Sequence, residues 1–337
     1  MKISASIYSD TKRSLPEVIQ DLENHQVDLL HVDCNDDPRV FEDIALIRTL
    51  TKLPIDLHLI TSEPEKYYDL LRANPVEFLT FQHEDLSAPL QILGDITGKK
   101  GIAVITPTSV SIFDGYKDFD FILIMATIPG QSGGLFDTVN FTKIREFKAK
   151  YPTKAVHVDG GVNGEVSFIL RNLGVRSSVS GSYLFKAASV GQALLNLTQR
   201  SIDSHFLVED FMTPLDHSPV LIADDLSELN LKNTLQTIET GKVGFCVVTK
   251  QDKSFVALIS NADVRKALLA NVDDLAGLEM KQYCNLTPLS VNSTATVGEM
   301  LAIVRSASFP VSYLPVVDSD GKAKGIVTFA NLIKGEL

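Results

Sequence analysis

The sequence predicts an α/β protein: a (β/α)8 barrel followed by a smaller α+β module built from two related halves. Three observations carry this expectation. Short β-rich runs alternate with helix-compatible stretches up to residue 183, glycine-bearing turns follow the last of those runs, and the chain beyond residue 205 superposes on itself. At 337 residues the chain exceeds one ordinary core and suits domains of about 200 and 130 residues. We place them at 1–199 and 205–337, with the second divided at about 205–272 and 278–337.

In order, the barrel runs are Lys2–Ile7, Asp28–Asp33, Ile55–Ile60, Phe78–Gln82, Gly101–Ile105, Phe121–Ala126, Lys154–Asp159 and Arg176–Gly181. Their centres are continuous apolar stretches such as Phe121-Ile122-Leu123-Ile124-Met125, as strands covered on both faces require. Each is followed by a polar or glycine-bearing turn and then a helix-compatible segment, the pattern of βα units. Parallel strands with helical crossovers in this number close into a barrel more economically than they spread into a doubly wound open sheet, the structural alternative. After Ala187–Gln199 and a short linker, Arg200 to Ser204, the pattern changes.

Composition excludes several classes. The chain is 45% hydrophobic and 22% charged, a globular balance. No apolar run reaches the roughly 18 residues of a membrane helix, and Met1-Lys2-Ile3-Ser4 opens no signal-peptide stretch, so a cytoplasmic location and no membrane partner are expected. Cys34, Cys246 and Cys284 are odd in number and lack C-x-x-C pairing, which argues for reduced, mostly buried thiols. A net charge of -11 without a basic cluster disfavours nucleic acid.

In such a barrel the chemistry lies at the C-terminal strand ends. Strand 2 ends His31-Val32-Asp33, strand 3 ends His58-Leu59-Ile60 and strand 7 ends His157-Val158-Asp159. Alternation puts His31 with Asp33 on one face and His157 with Asp159 on another, so one rim can gather two imidazoles and two carboxylates. That donor set suits one divalent metal ion, Zn, Fe or Mn. Each residue taken singly reads as a satisfied core or loop residue; together they point to a site. Glycines form a second, independent signal: Pro129-Gly130-Gln131-Ser132-Gly133-Gly134 after strand 6, Gly160-Gly161 after strand 7 and Gly181-Ser182 after strand 8. Glycine admits close backbone approach, and backbone N–H groups at a helix start attract phosphate.

At these residues the first domain resembles the ribulose-phosphate 3-epimerase family of TIM barrels, from about Lys2 to Ala187. The resemblance runs through Ser6-Ile7, Leu30-His31-Val32-Asp33, Ile55-Asp56-Leu57-His58-Leu59, Glu63-Pro64-Glu65-Lys66-Tyr67, Ile124-Met125, Pro129-Gly130, Val158-Asp159-Gly160-Gly161-Val162 and Ser180-Gly181-Ser182. It implies that His31, Asp33, His58 and Asp159 bind the metal and that Asp33 and Asp159 are the acid/base pair. It also implies that Ser6 and His58 meet the substrate, while Gly130, Gln131, Ser132, Gly133, Gly160, Gly161, Gly181 and Ser182 hold its phosphate. The implied reaction inverts carbon 3 of a ketose phosphate, ribulose 5-phosphate/xylulose 5-phosphate or a related sugar of pentose phosphate metabolism. A metal on the carbonyl and hydroxyl oxygens stabilises the enediolate, and carboxyl groups on two faces exchange the proton. The chain departs from the family where Asn35-Asp36-Asp37 replaces Met-Asp-Gly, where Ile60 replaces a methionine, in Ser4-Ala5-Ser6, in the loop after Gly130, and where the strand-4 histidine becomes Gln82, with His83 beside it. A more polar pocket suits either a different ketose phosphate or, alternatively, a catalytically weak or inactive sugar-phosphate-binding regulator. A phosphate-binding decarboxylase or hexulose-phosphate synthase would show Asp-x-Lys-x-x-Asp; Asp33-Cys34-Asn35-Asp36-Asp37 lacks the lysine.

In the second domain Phe211-Met212-Thr213-Pro214 superposes on Cys284-Asn285-Leu286-Thr287-Pro288, Phe245-Cys246-Val247-Val248 on Leu314-Pro315-Val316-Val317, and Ala257 to Asp263 on Ile326 to Asn331. Duplication at this period implies units that bury their apolar faces on each other. The halves resemble a tandem pair of cystathionine-β-synthase (CBS) domains, most like the pair of arabinose-5-phosphate isomerases. Ser260-x-x-Asp263 and Thr328-x-x-Asn331 are the telling elements: a hydroxyl at a helix start suits phosphate and the carboxylate suits a ribose diol. Ser260, Asp263, Thr328 and Asn331 are therefore the candidate contacts of an adenine nucleotide or nucleotide-sugar effector; a helix N-cap is the bland alternative. A homo-oligomer is also expected.

Overall fold

The computed structural model describes residues 1–90, 94–127, 133–198 and 205–330. The chain divides into two compact units, whose described residues run 1–198 and 205–330.

The first unit is a closed barrel of eight parallel strands in sequence order. Its elements are β1 (Lys2–Ser6), α1 (Leu15–Asn24), β2 (Leu29–Asn35), α2 (Val40–Leu50), β3 (Ile55–Ile60), α3 (Tyr68–Ala73), β4 (Phe78–Gln82), β5 (Lys99–Ile105), β6 (Phe121–Met125), α4 (Val139–Lys150), β7 (Ala155–Asp159), α5 (Gly164–Asn172), β8 (Ser177–Ser180), α6 (Ser182–Lys186) and α7 (Val190–Thr198). β1 pairs with β8, which closes the sheet and leaves no edge. Between β5 and β6 the crossover is a 3-10 segment, Val110–Tyr116, rather than an α-helix. Strand 2 extends to Asn35, so Asp33 lies within the ladder instead of ending it.

Local signals start the helices. Ser14 and Glu17 form a capping box at α1, with Pro16 in its first turn, and Asn163 caps α5 through the Val166 N–H (2.9 Å). Inside the barrel, Gly101 makes room for an aromatic ring: a Cβ there would fall 2.2 Å from Phe121 Cε2. Phe121 then stacks on His157, centroids 4.1 Å apart and planes at 19°. This plug fills the lower barrel and supports the polar layer above it.

The second unit contains α8 (Val208–Phe211), β9 (Thr213–Pro214), β10 (Val220–Ile222), α9 (Leu231–Gly241), β11 (Phe245–Thr249), β12 (Phe255–Ser260), α10 (Asn261–Ala270), β13 (Val291–Asn292), α11 (Val297–Ser306), β14 (Tyr313–Val317) and β15 (Ala323–Thr328). Two sheets form, β10-β11-β12 and β13-β14-β15-β9. Each half lends a segment to the other: Thr213 pairs with Ile326, and Asn285 bridges to Leu258. Alternation divides the core. Cys246, Val248, Ala257 and Ile259 pack with Ile238 and Val264 of the first half and with Met280 at the start of the second, whereas Phe245, Val247 and Leu258 pack with Ala323 and Ile326.

The hairpin registers correct the superposition expected from sequence. Phe245 faces Ser260 across one hairpin and Tyr313 faces Thr328 across the other, with a bulge at the matching step, so Phe245 corresponds to Tyr313 and not to Leu314. By the same registers Thr213 corresponds to Asn285. Matching apolar letters favours leucine, but phenylalanine and tyrosine share the ring that stacks between the halves, 3.8 Å apart at 18°. Cys34 and Cys246 are buried free thiols and Cys284 is a partly buried one.

Candidate functional site

Adjacent registers assemble a polar layer at the C-terminal end of the barrel. β2 and β3 pair His31 with Asp56 and Asp33 with His58, while β1 sets Ser6 beside His31. His31 and His58 are buried, at 1% and 0% exposure. His31 Nε2 lies 3.2 Å from Asp33 Oδ1 and 3.7 Å from Asp159 Oδ2, and His58 Nδ1 lies 3.3 Å from Asp33 Oδ1. One donor atom from each of His31, Asp33, His58 and Asp159 falls within 4.8 Å of the others, a grouping able to hold a metal ion. His157, the third imidazole of the sequence list, sits one layer lower against Phe121, outside this group.

The two histidines present different nitrogens. His31 Nδ1–H donates to Asp56 Oδ2 (3.1 Å), which also accepts from Ser4 Oγ (2.9 Å), so Nε2 faces the cluster. His58 Nε2 bonds Gln82 Oε1 (2.9 Å), and its buried Nδ1 makes no hydrogen bond of good geometry despite its closeness to Asp33. A buried nitrogen without a partner is costly, and two imidazole nitrogens with two carboxylates are a fitting set for a divalent cation. Sequence reasoning assigns Asp56 no role of its own. A lone carboxylate inside the apolar run Ile55 to Ile60, with the parity of His58, is the signal that could have found it.

The carboxyl groups are driven apart. Burial resists ionisation of Asp33, but the charges of His31 and His58 and the hydrogen bond with His31 outweigh it and hold this carboxyl far below the usual range. Burial pushes Asp159 up to about 6; His31 opposes this and the charge of Asp33 reinforces it. For His31, burial disfavours the cation, yet Asp33 and Asp56 together raise it well above the ordinary value.

Above this layer opens a cavity of about 620 Å³, lined in part by Ser6, Asp33, Asp159, Gly160, Gly181 and Ser182. Its floor needs glycine at two places. Gly161 has φ +67° and a Cβ there would fall 2.2 Å from Phe136 N, while a Cβ on Gly181 would fall 2.1 Å from Ser9 Oγ. Gly133 also lines the cavity; Gly130, Gln131 and Ser132 lie outside the described residues.

In the second unit Ser260 caps α10, and its N–H and Oγ donate to Asp263 Oδ2 at 2.9 and 2.6 Å. The geometry is thus a capping box, with Lys266 Nζ 3.6 Å from the other carboxylate oxygen. Thr328 ends β15 opposite Tyr313, and Asn331 lies outside the described residues.

The sequence model of the Ribulose-phosphate 3 epimerase family matches residues 2–185, and that of the CBS domain matches residues 280–336. Among curated relatives, ribulose-phosphate 3-epimerase of Methanocaldococcus jannaschii is 30% identical over 228 residues, 63% of this chain and 95% of its own. The Bacillus subtilis ribulose-phosphate 3-epimerase is 28% identical over 200 residues, 55% of this chain and 92% of its own. A solved CBS-pair protein, CBSX2 from Arabidopsis thaliana, is 23% identical with a TM-score of 0.32, covering 39% of this chain and 94% of that one. With the family match spanning more than half of the chain and the cavity built on the matched barrel, the chain belongs to the ribulose-phosphate 3-epimerase family and is an isomerase with a C-terminal CBS module.

Proposed function

We propose that the barrel inverts carbon 3 of a ketose phosphate, using Asp33 and Asp159 as the proton-transfer pair and His31, Asp33, His58 and Asp159 as the holders of one divalent cation. The single observation that carries this reading is the group of two buried imidazoles and two partly exposed carboxylates at the base of a glycine-lined cavity. When bound there, a divalent cation supplies positive charge to the substrate oxygens beside the reacting carbon. The chain's own groups do the rest. Asp33 takes a proton from one face, and Asp159 returns one to the other. The phosphate falls to the backbone N–H groups near Gly160, Gly161, Gly181 and Ser182, with Ser6 beside the sugar.

The lining supports a sugar phosphate richer in polar contacts than an apolar mouth would take. Tyr8, whose hydroxyl donates to Asp43 (2.7 Å), and Asn35 both face the cavity. Ribulose 5-phosphate/xylulose 5-phosphate is the first pair to test, followed by longer ketose phosphates. For the CBS module, a duplicated unit joined to a sugar-phosphate barrel, we propose an adenine nucleotide or nucleotide sugar that adjusts the barrel's turnover. A five- to 150-fold effect corresponds to about 1–3 kcal/mol of coupling.

Solvent deuterium exchange at carbon 3, followed by NMR across a panel of ketose phosphates with added Zn, Mn or Fe and with or without AMP, tests the reading. Metal-dependent exchange with formation of the epimer is expected for at least one sugar. Binding of those sugars without exchange at any metal would replace the epimerase by a sugar-phosphate sensor.

A further inference from the structure

His58 presents Nδ1 to the carboxylate cluster because of what stands behind its other nitrogen. Gln82, at the end of β4 and 1% exposed, places Oε1 2.9 Å from His58 Nε2. A primary amide is ambivalent and can offer its oxygen or its NH2 group. Here the choice is made one step further out, where Gln82 Nε2 donates to the Glu84 carboxylate. Glu84 is itself anchored by two donors, the Ile105 N–H (3.1 Å) and Thr108 Oγ1 (2.5 Å), both on Oε1. A carboxylate only accepts, so the Gln82 NH2 must face Glu84 and its oxygen must face His58. That oxygen also only accepts, so His58 must carry its proton on Nε2.

The opposite tautomer has a carboxylate close by. Asp33 Oδ1 lies 3.3 Å from His58 Nδ1, and a small turn of either side chain would let a proton on Nδ1 donate to it. That form turns an N–H, not a lone pair, toward the site. We infer that Gln82, oriented by Glu84, is a positioning residue that fixes His58 in the Nε2–H tautomer and so keeps its Nδ1 lone pair available to a metal ion. The inference rests on the proposed metal-binding role of His58, but its tautomer arm can be read without metal. It also gives a function to the departure at position 82, where the family resemblance calls for a histidine.

The test uses the full chain and the variants Q82L, E84Q and Q82H. Long-range proton–nitrogen NMR of the metal-free protein at pH 8 reads the His58 tautomer, and titration with Co(II) against a competing chelator reads affinity. The expected result is Nε2–H in the parent, a shift toward Nδ1–H in Q82L, and a loss in Co(II) affinity of about 10–100-fold in that variant. E84Q, which frees the amide to turn without removing it, should lose affinity at or below the lower end of that range. Q82H should recover affinity relative to Q82L, since a ring nitrogen can accept from His58. An unchanged tautomer and unchanged Co(II) affinity in Q82L and E84Q, with thermal melts like the parent's, would overturn the inference. If Q82L does not fold, E84Q decides alone. A parent that binds no Co(II) while its tautomer still responds to position 82 would overturn the metal assignment and leave the positioning intact as a hydrogen-bond relay.

Discussion

Replacing Asp159 by asparagine separates the electrostatics of the cluster from its chemistry. In protein stripped of metal, burial and the Asp33 charge push Asp159 up to about 6 from an ordinary 3.8, against the pull of His31. The sign follows from linkage. Below pH 3.8 the folded and unfolded states both hold the proton and the group contributes nothing. Between there and about pH 6 the unfolded state gives it up first, so stability falls with rising pH, by up to about 3 kcal/mol, and is flat beyond. The asparagine side chain never ionises, and Asp159 is only 17% exposed in its side chain, so solvent screens little of this. Metal-free D159N should therefore melt above the parent at pH 7–8, by roughly 6–12 °C for a domain of this size, and the gap should close toward pH 4. In the metal-loaded protein the same change should lower epimerisation about a thousandfold or more. One epimer should still exchange its carbon-3 hydrogen with solvent through Asp33 without inverting, and the other should not. Calorimetry at several pH values and deuterium exchange on each epimer read the two effects. Near-normal interconversion, or exchange lost from both epimers in a variant that keeps its metal, would refute the two-sided reading. A metal-free D159N no more stable than the parent at pH 8 would refute the electrostatic account.

His58→Ala should drop the divalent metal content from about one per chain to near zero after dialysis, measured by elemental analysis; unchanged content would make this histidine structural. Gly161→Ala should cost about 1–2 kcal/mol for the left-handed backbone alone, with the contact at Phe136 N adding to it, so urea unfolding of the barrel should shift to lower concentration and phosphate-bearing ligands should bind more weakly. An unshifted transition would mean that the backbone there is not held as described. Asp263→Ala should cost about 1 kcal/mol of stability with no ligand present, because it removes the α10 capping box. The same variant should weaken AMP binding without changing basal exchange, and calorimetric titration that finds AMP binding equal to the parent's would confine Asp263 to its cap.

Much of the barrel, and of the grouping of donor side chains at its rim, was legible in the chain. Continuous apolar runs such as Phe121 to Met125 followed by turns require strands covered on both faces, and parity within a strand requires His31 and Asp33 to share a side. These are local facts, fixed by the two-residue repeat of extended backbone. The tertiary structure decided what depends on pairing between segments distant in sequence. Only the β2–β3 register sets Asp56 against His31, and only the barrel's stagger puts His157 in the aromatic plug while His58 joins the cluster. In the CBS module the one-residue shift that matches Phe245 with Tyr313 came from ladder registers that apolar letters alone do not specify. Ser260 and Asp263 show the converse. Their spacing serves a ligand or a helix start equally well, and the hydrogen bonds they form with each other are those of the helix start. Residue types and local periodicity follow from the covalent chain, whereas partners across the fold are chosen by packing summed over the whole molecule, which no short stretch of sequence contains.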